Sequence, residues 1–236
     1  MEESQAPKGN ALMRVFAVIA TILVVFSVIV ACVQGIAFDS SFYKQEYTKM
    51  ETAGYVGVSG AELDAATDVL LHYLQDKTAS LDMPVSSGEQ YYTDREKAHM
   101  VDVKALYQHA VTFMAVGFSV GGALLLYCLL RKKRAYMRQT LQAYFWTTVG
   151  ILVFFVCIGI WAAADFYNFW ISFHHVFFTN DLWMLDPASS RMIRMFEQDF
   201  FADMVGRILA IFLAVVVGAA AAAGIINKRM AKHEGR

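Results

Sequence analysis

Two histidine-bearing segments contain the residues best suited to chemistry in this sequence. His99 lies in the segment REKAHMVD at 95–102, and His174 and His175 lie in FHHVFF at 173–178. Each segment lies a few helical turns outside a long uncharged apolar stretch. Imidazole can accept or donate a proton near neutral pH. The matched depth of the two segments therefore predicts one shared histidine site.

The elements that must position these histidines are four membrane-spanning helices. The sequence is 57% apolar and only 17% charged, and four stretches lack any charged residue: 15–33, 110–130, 143–164 and 208–226. Each reaches the ~20 residues that a helix needs to cross a bilayer core. We therefore predict an all-α membrane protein with four transmembrane helices and an extracellular, mainly helical cap.

The charged residues predict which side each segment faces. Eleven of the twenty Lys and Arg residues lie in the flanks 1–14, 131–142 and 227–236. The segments 39–109 and 165–203 carry six and two, against twelve and six Asp and Glu. By the positive-inside rule, both termini and the basic loop are cytoplasmic. The cap, 34–109, and an aromatic-rich loop, 165–207, then face outward, as expected for a multi-pass protein of the cell membrane.

The first apolar stretch has a second interpretation. Lys8 and Arg14 precede it, and the letters IVAC at 29–32 resemble a lipoprotein cleavage box, as in a signal peptide. A stretch of this length is long for a signal core, so we expect a membrane helix. Within the second stretch, Gly117 and Gly121 form a small-xxx-small motif that favours close helix packing inside the bundle over packing between subunits. The oligomeric state stays open.

Two capping boxes predict helices in the cap. Ser59 and Glu62 open an amphipathic helix over about 61–77, with leucines at helical spacing. A second box, TDRE at 93–96, opens a helix that runs through His99. Asp102 lies three residues after His99 on the same helix face, close enough to orient the imidazole or stabilise its charge.

Aromatic residues surround the second histidine segment. Phe173, Phe177 and Trp183 belong to a concentration of rings that is typical of an interfacial aromatic belt. Adjacent residues on a helix point about 100° apart. Only one of His174 and His175 can therefore face His99.

The absent motifs narrow the chemistry. The sequence has no HExxH, CxxC, GxSxG or phosphate-binding glycine loop. All six histidines lie outside the apolar stretches, which disfavours a haem between the helices: His72, His99, His109, His174, His175 and His233. A zinc set built from the two segments has no spacing signature, so we expect no metal and no cofactor. Histidine acid–base chemistry at a lipid interface remains.

Five short motifs, taken in series, resemble the bacterial lipoprotein intramolecular transacylase family, Lit. They are SGAEL at 59–63, LHYL at 71–74, REKAHMVDVK at 95–104, FHHVFF at 173–178 and WMLDP at 183–187. The resemblance implies four transmembrane helices, an extracellular cap and two catalytic histidines, His99 and His174. Where the family has one histidine after the phenylalanine, this chain has two, which leaves His175 as the alternative.

The resemblance also implies a substrate and a reaction. Diacylated bacterial lipoproteins in the membrane would be the substrate, and an acyl chain would move from the sn-2 ester of the diacylglyceryl-cysteine to its own amino group. His99, with Asp102, is expected to be the base and His174 the acid, with the reverse assignment open. Loss of the Asp102 charge would then weaken the base. Residues with a supporting or substrate-binding role would be Asp102, His175, Phe173, Phe177 and Trp183.

A non-enzymatic function is the alternative. A small membrane sensor or assembly partner could bind exported proteins through an acidic cap, with the histidines as interfacial anchors or as a pH switch. Such a cap would keep its binding after loss of both histidines. Neither function involves nucleic acid.

Overall fold

The computed structural model describes residues 11–131 and 134–232, and regular structure in these residues is helical apart from one isolated bridge between Pro84 and Gln90. The helices are α1 (Ala11–Ala37), α2 (Ser40–Lys49), α3 (Thr52–Val56), α4 (Gly60–Leu74), α5 (Asp94–Val116), a π-helical turn (Gly117–Gly121), α6 (Gly122–Leu129), α7 (Arg134–Ala164), α8 (Phe166–Phe177), α9 (Arg191–Met195) and α10 (Gln198–Lys232).

Four helices are long and apolar enough to cross a membrane: Ala11–Ala37, Asp94–Leu129, Arg134–Ala164 and Gln198–Lys232. They contain the four predicted stretches, apart from Leu130. The prediction of an all-α protein with four membrane helices is therefore confirmed. The sides that the cap and the termini face stay predictions, and His233 lies outside the described residues.

The chain divides into two compact units, and the first comprises residues 1–33, 112–159 and 208–236. Its described core includes Val25, Phe212 and Val216, and the ring of Phe155 packs 4.7 Å from that of Phe212. The π-helical turn packs tightly on α1. A Cβ atom at Gly117 would lie 2.1 Å from the hydroxyl of Ser27, so only glycine fits there. The small-xxx-small motif thus packs inside this unit.

The second unit, residues 34–111 and 160–207, contains the cap helices and has an aromatic core. Tyr91 and Tyr92 have no exposed surface, and the Tyr92 hydroxyl donates to the Ala66 carbonyl at 2.8 Å. Both predicted capping boxes are present. Helix α4 ends at Leu74, three residues before the predicted end, because Asp76 adopts a left-handed conformation with φ of 62°.

Candidate active site

His99 and His174 lie together within the second unit. Their ring centroids are 6.1 Å apart with planes at 35°, and only 7% and 8% of the two residues is exposed. His99 comes from the second turn of α5 and His174 from the third turn of α8. Phe178 packs against both, at 5.2 and 5.7 Å. The two segments that were expected to share a site are adjacent in space.

The tautomer of His174 is set by its own helix. Its Nδ1 lies 2.7 Å from the backbone carbonyl of Trp170, one turn earlier. A carbonyl oxygen can only accept a hydrogen bond, so Nδ1 carries the proton. In the neutral ring the lone pair is therefore on Nε2. His174 can therefore accept a proton at Nε2.

Burial keeps both imidazoles neutral. Desolvation lowers the pKa of His99 to about 4, with a further decrease from neighbouring His174 and a small opposing increase from Asp102. Desolvation also lowers the pKa of His174, but the hydrogen bond to Trp170 opposes the decrease. Two such close imidazoles disfavour double protonation. A proton entering the pair is therefore held first by His174.

His175 occupies a different environment from its neighbour. It is exposed, and its ring stands perpendicular to that of Trp183 at 5.2 Å. Of the two adjacent histidines, the structure brings His174 next to His99.

Asp102 does not hydrogen-bond to His99 as its position on the helix suggested. Its carboxylate accepts a hydrogen bond from the Asn180 side chain at 2.9 Å. The Nδ1 atom of His99 is buried and has no hydrogen-bond partner among the described residues. Asp102 therefore acts on His99 through its charge alone, while its hydrogen bond reaches the loop after α8.

Glu96 connects the start of α5 to that same loop, a role missed in the sequence analysis. One carboxylate oxygen accepts the Thr93 N–H of the capping box at 2.5 Å. The other accepts from the Ser190 hydroxyl at 2.5 Å and the Met192 N–H at 2.7 Å. Glu96 is fully buried. A capping box uses only one oxygen of its glutamate. The second oxygen of Glu96 was therefore the feature of the sequence that could have indicated a further contact.

Aromatic rings enclose His174. Trp183 stacks on it at 4.6 Å with planes 28° apart, and Trp170 and Phe173 approach edge-on at 5.0 and 5.7 Å. Phe177 packs on Phe173 at 4.7 Å and is 48% exposed. Trp183 is only 8% exposed, yet its indole Nε1 has no hydrogen-bond partner in the described chain. Two polar atoms without partners thus border one site, since His99 Nδ1 is the other.

The arrangement suits proton transfer. Among the described residues there is no group of three His, Cys, Asp or Glu side chains placed to hold a metal ion. Two neutral histidines, one with a fixed tautomer, lie among aromatic rings. Such a site can remove a proton from a nucleophile and return it to a leaving group.

These features define the class as a helical membrane protein with paired histidines in its second unit. The comparisons with known proteins give the family. The model of the lipoprotein intramolecular transacylase Lit family matches residues 18–201. The chain belongs to this family, which makes it an acyltransferase with a lipoprotein substrate in a membrane. The resemblance found in the sequence is thereby confirmed.

Solved structures agree on the fold. Lit from Bacillus cereus aligns with a TM-score of 0.74 at 19% identity, covering 94% of this chain and 97% of that chain. A variant of the same protein with one histidine replaced by alanine aligns with a TM-score of 0.70 at 18% identity, covering 94% and 95%. Among the curated proteins no match was found.

Proposed function

We propose that this protein moves an acyl chain from the sn-2 ester oxygen of a lipoprotein's diacylglyceryl-cysteine to the α-amino group of the same cysteine. The product is an N-acylated lyso-lipoprotein. The observation that supports this most directly is the buried pair of neutral histidines, found in a chain that belongs to the Lit family.

The tethered substrate explains why two histidines suffice. The amine and the ester belong to one molecule, joined through the cysteine and two glyceryl carbons. Holding this tether folded replaces an entropy cost otherwise worth several kcal/mol. Exposed apolar side chains on the helices of the two histidines and on the loop after α8 offer surface for acyl chains: Val101, Val176, Phe177 and Met184.

His174 is the general base in this proposal. Its Nε2 lone pair accepts the proton that the ammonium group must lose and passes it to solvent. As the amine nitrogen then attacks the ester carbonyl carbon, Nε2 accepts a second proton from that nitrogen. When the tetrahedral intermediate collapses, the sn-2 oxygen leaves and takes a proton from the neutral His99 ring. The His174 imidazolium returns its proton to His99. This reverses the roles expected from the sequence, because the hydrogen bond to Trp170 favours the first proton on His174.

Mass spectrometry of a lipoprotein's N-terminal peptide tests the reaction, because it locates each acyl chain. We expect His99→Ala and His174→Ala to abolish lyso-lipoprotein formation without loss of folded protein. His175→Ala and His72→Ala should retain activity, since both residues are exposed. A folded double variant that still produces lyso-lipoprotein would refute the proposal, and unchanged binding of an exported protein would support the sensor alternative.

The pH dependence of the rate tests the base. Both histidine pKa values are lowered by burial, so the pair stays neutral down to below pH 6.5. The rate should therefore fall only below that pH, where protonation removes the base. A rate that is constant down to pH 4 would exclude histidine base catalysis.

The cap is proposed to face outward, with both termini in the cytoplasm. The asymmetry of Lys and Arg supports this orientation. In a cysteine-free background, an impermeant maleimide added to intact cells should label cysteine at position Ser87 or Ser189 and spare one at Ala135. Labelling at Ala135 in intact cells would contradict the assignment.

A further inference from the structure

The indole N–H of Trp183 is an exception to a general rule. Buried polar groups in proteins nearly always have hydrogen-bond partners, and the exceptions require an explanation such as a ligand or a catalytic role. Only 8% of Trp183 is exposed, and its Nε1 has no acceptor among the described residues. This N–H is therefore kept available for a molecule that enters the site.

The position of Trp183 relates its N–H to the reaction. Its ring stacks on His174 with centroids 4.6 Å apart and planes 28° apart. The indole N–H and the His174 Nε2 lone pair each lie in the plane of their own ring, so both atoms lie at the rim of the stack. An ester whose attacking amine contacts His174 would bring its carbonyl oxygen to that rim.

We propose that Trp183 is a catalytic residue whose Nε1–H donates a hydrogen bond to the ester carbonyl oxygen as it becomes an oxyanion. This inference rests on the proposed transacylase function. As the amine nitrogen attacks, the carbonyl π electrons move to oxygen, and the N–H stabilises that charge. When the intermediate collapses, the charge leaves with the sn-2 oxygen and the amide carbonyl reforms.

The loop that carries Trp183 is fixed to the helix that carries His99. Asn180 donates to Asp102 at 2.9 Å and accepts the Leu182 N–H at 3.1 Å. Arg95 donates to the Asp181 carbonyl. These bonds hold the indole before any substrate is present. A donor held in place needs no reorganisation during the reaction, which is the property that makes oxyanion donors effective.

The chemistry of neighbouring residues favours Trp183 over other donors. An oxyanion donor needs an N–H or O–H that has no competing acceptor. The Nδ1–H of His174 is already bound to Trp170. His99 has its own role at the leaving oxygen in the proposed reaction. The indole N–H of Trp183 is thus free for the carbonyl.

The experiment replaces the N–H while keeping the ring. Trp183 is substituted with β-(3-benzothienyl)alanine, which has sulfur in place of the N–H, and in parallel with phenylalanine. We expect kcat to fall by about 10²–10³, as when one oxyanion donor is removed, while KM changes less than threefold. Trp161→Phe is the matched control, because its exposed ring packs on Phe169 at 5.6 Å, away from the histidines. That variant should keep wild-type kcat.

The assay distinguishes failure of the oxyanion inference from failure of the proposed transacylase function. If the wild-type protein forms no lyso-lipoprotein in the same assay, the transacylase proposal fails. If the wild type is active and the benzothienyl variant keeps its kcat, the oxyanion role alone is refuted. If the Phe variant loses activity and the benzothienyl variant does not, Trp183 contributes packing only, and the inference is wrong.

Discussion

Substitution of Glu96 tests whether the start of α5 holds the loop over 178–190 in place. Glu96 is fully buried, and its carboxylate accepts hydrogen bonds from Thr93, Ser190 and Met192. Alanine removes all three acceptor interactions. Glutamine keeps one oxygen and places an NH₂ group against a donor, so it is the milder change.

The size of the effect follows from these three donors. A buried donor left without a partner costs about 1–3 kcal/mol. Glu96→Ala leaves two buried donors, at Ser190 and Met192, and a partly buried one at Thr93, so we expect a loss of at least about 3 kcal/mol in the free energy of unfolding. In Glu96→Gln, the remaining oxygen can serve Ser190 and Met192 while the NH₂ faces the Thr93 N–H. One donor is then lost, and we expect about 2 kcal/mol.

Thermal unfolding of the detergent-purified protein measures this loss. A protein of this size loses about 2–4 °C in Tm per kcal/mol, which predicts a decrease of roughly 6–12 °C for Glu96→Ala. Glu62→Gln is the matched control, because Glu62 has the same position in the other capping box, but its hydrogen bonds to Ser59 and Ser86 lie at the surface, where water can replace them. Its Tm should stay close to that of the wild type.

Activity at a temperature where each variant is folded gives the second measurement. Because the loop from Phe178 to Ser190 carries Trp183, a weaker anchor should lower kcat as well as Tm. Glu96→Ala with the Tm and kcat of the wild type would show that the buried carboxylate does not hold the loop. A Tm loss in Glu62→Gln equal to that in Glu96→Gln would show that only helix capping is measured.

Three further predictions follow from the structure. The pKa of His99 in the folded protein is about 4, against an ordinary 6.5, so its contribution to stability is complete above pH 6.5 and is lost as the pH falls towards 4. The Tm should therefore decrease over that pH range. The decrease should be smaller in His99→Gln. Asp102→Asn should keep kcat within about threefold, because a carboxamide oxygen still accepts the hydrogen bond from Asn180 and the Asp102 charge has only a small effect on the His99 pKa. A tenfold loss of kcat would favour the role predicted from the sequence, in which Asp102 supports His99 as the base. Gly117→Ala should lower Tm by several degrees through its clash with Ser27, whereas Gly122→Ala, with open space around it, should not.

The starts of the cap helices could be predicted from the sequence because capping boxes are local. Ser59 with Glu62 and Thr93 with Glu96 form within four residues, and the structure contains both. The end of α4 could not be predicted in the same way. It depends on a left-handed conformation at Asp76, where the sequence has no glycine to indicate it.

The site could be predicted in outline but not in its contacts. The matched positions of the two histidine segments indicated that they would meet, whereas the choice between His174 and His175 depends on the rotation of α8. Asp102 lies on the expected helix face, yet its hydrogen bond goes to Asn180, which is distant in the sequence. Contacts between distant segments determine such partners, and no local pattern encodes them.

Because of the hydrogen bond from His174 to the Trp170 carbonyl, the proton acceptor and the loop over 178–190 can change independently in evolution. Donor and acceptor are one turn apart in α8, so the protonation pattern of this imidazole is inherited with a single short helix. Apart from Trp183 and the residues that hold it, the loop over 178–190 can vary without disturbing this hydrogen bond. Relatives could therefore diverge in which substrates they admit while keeping the same proton acceptor.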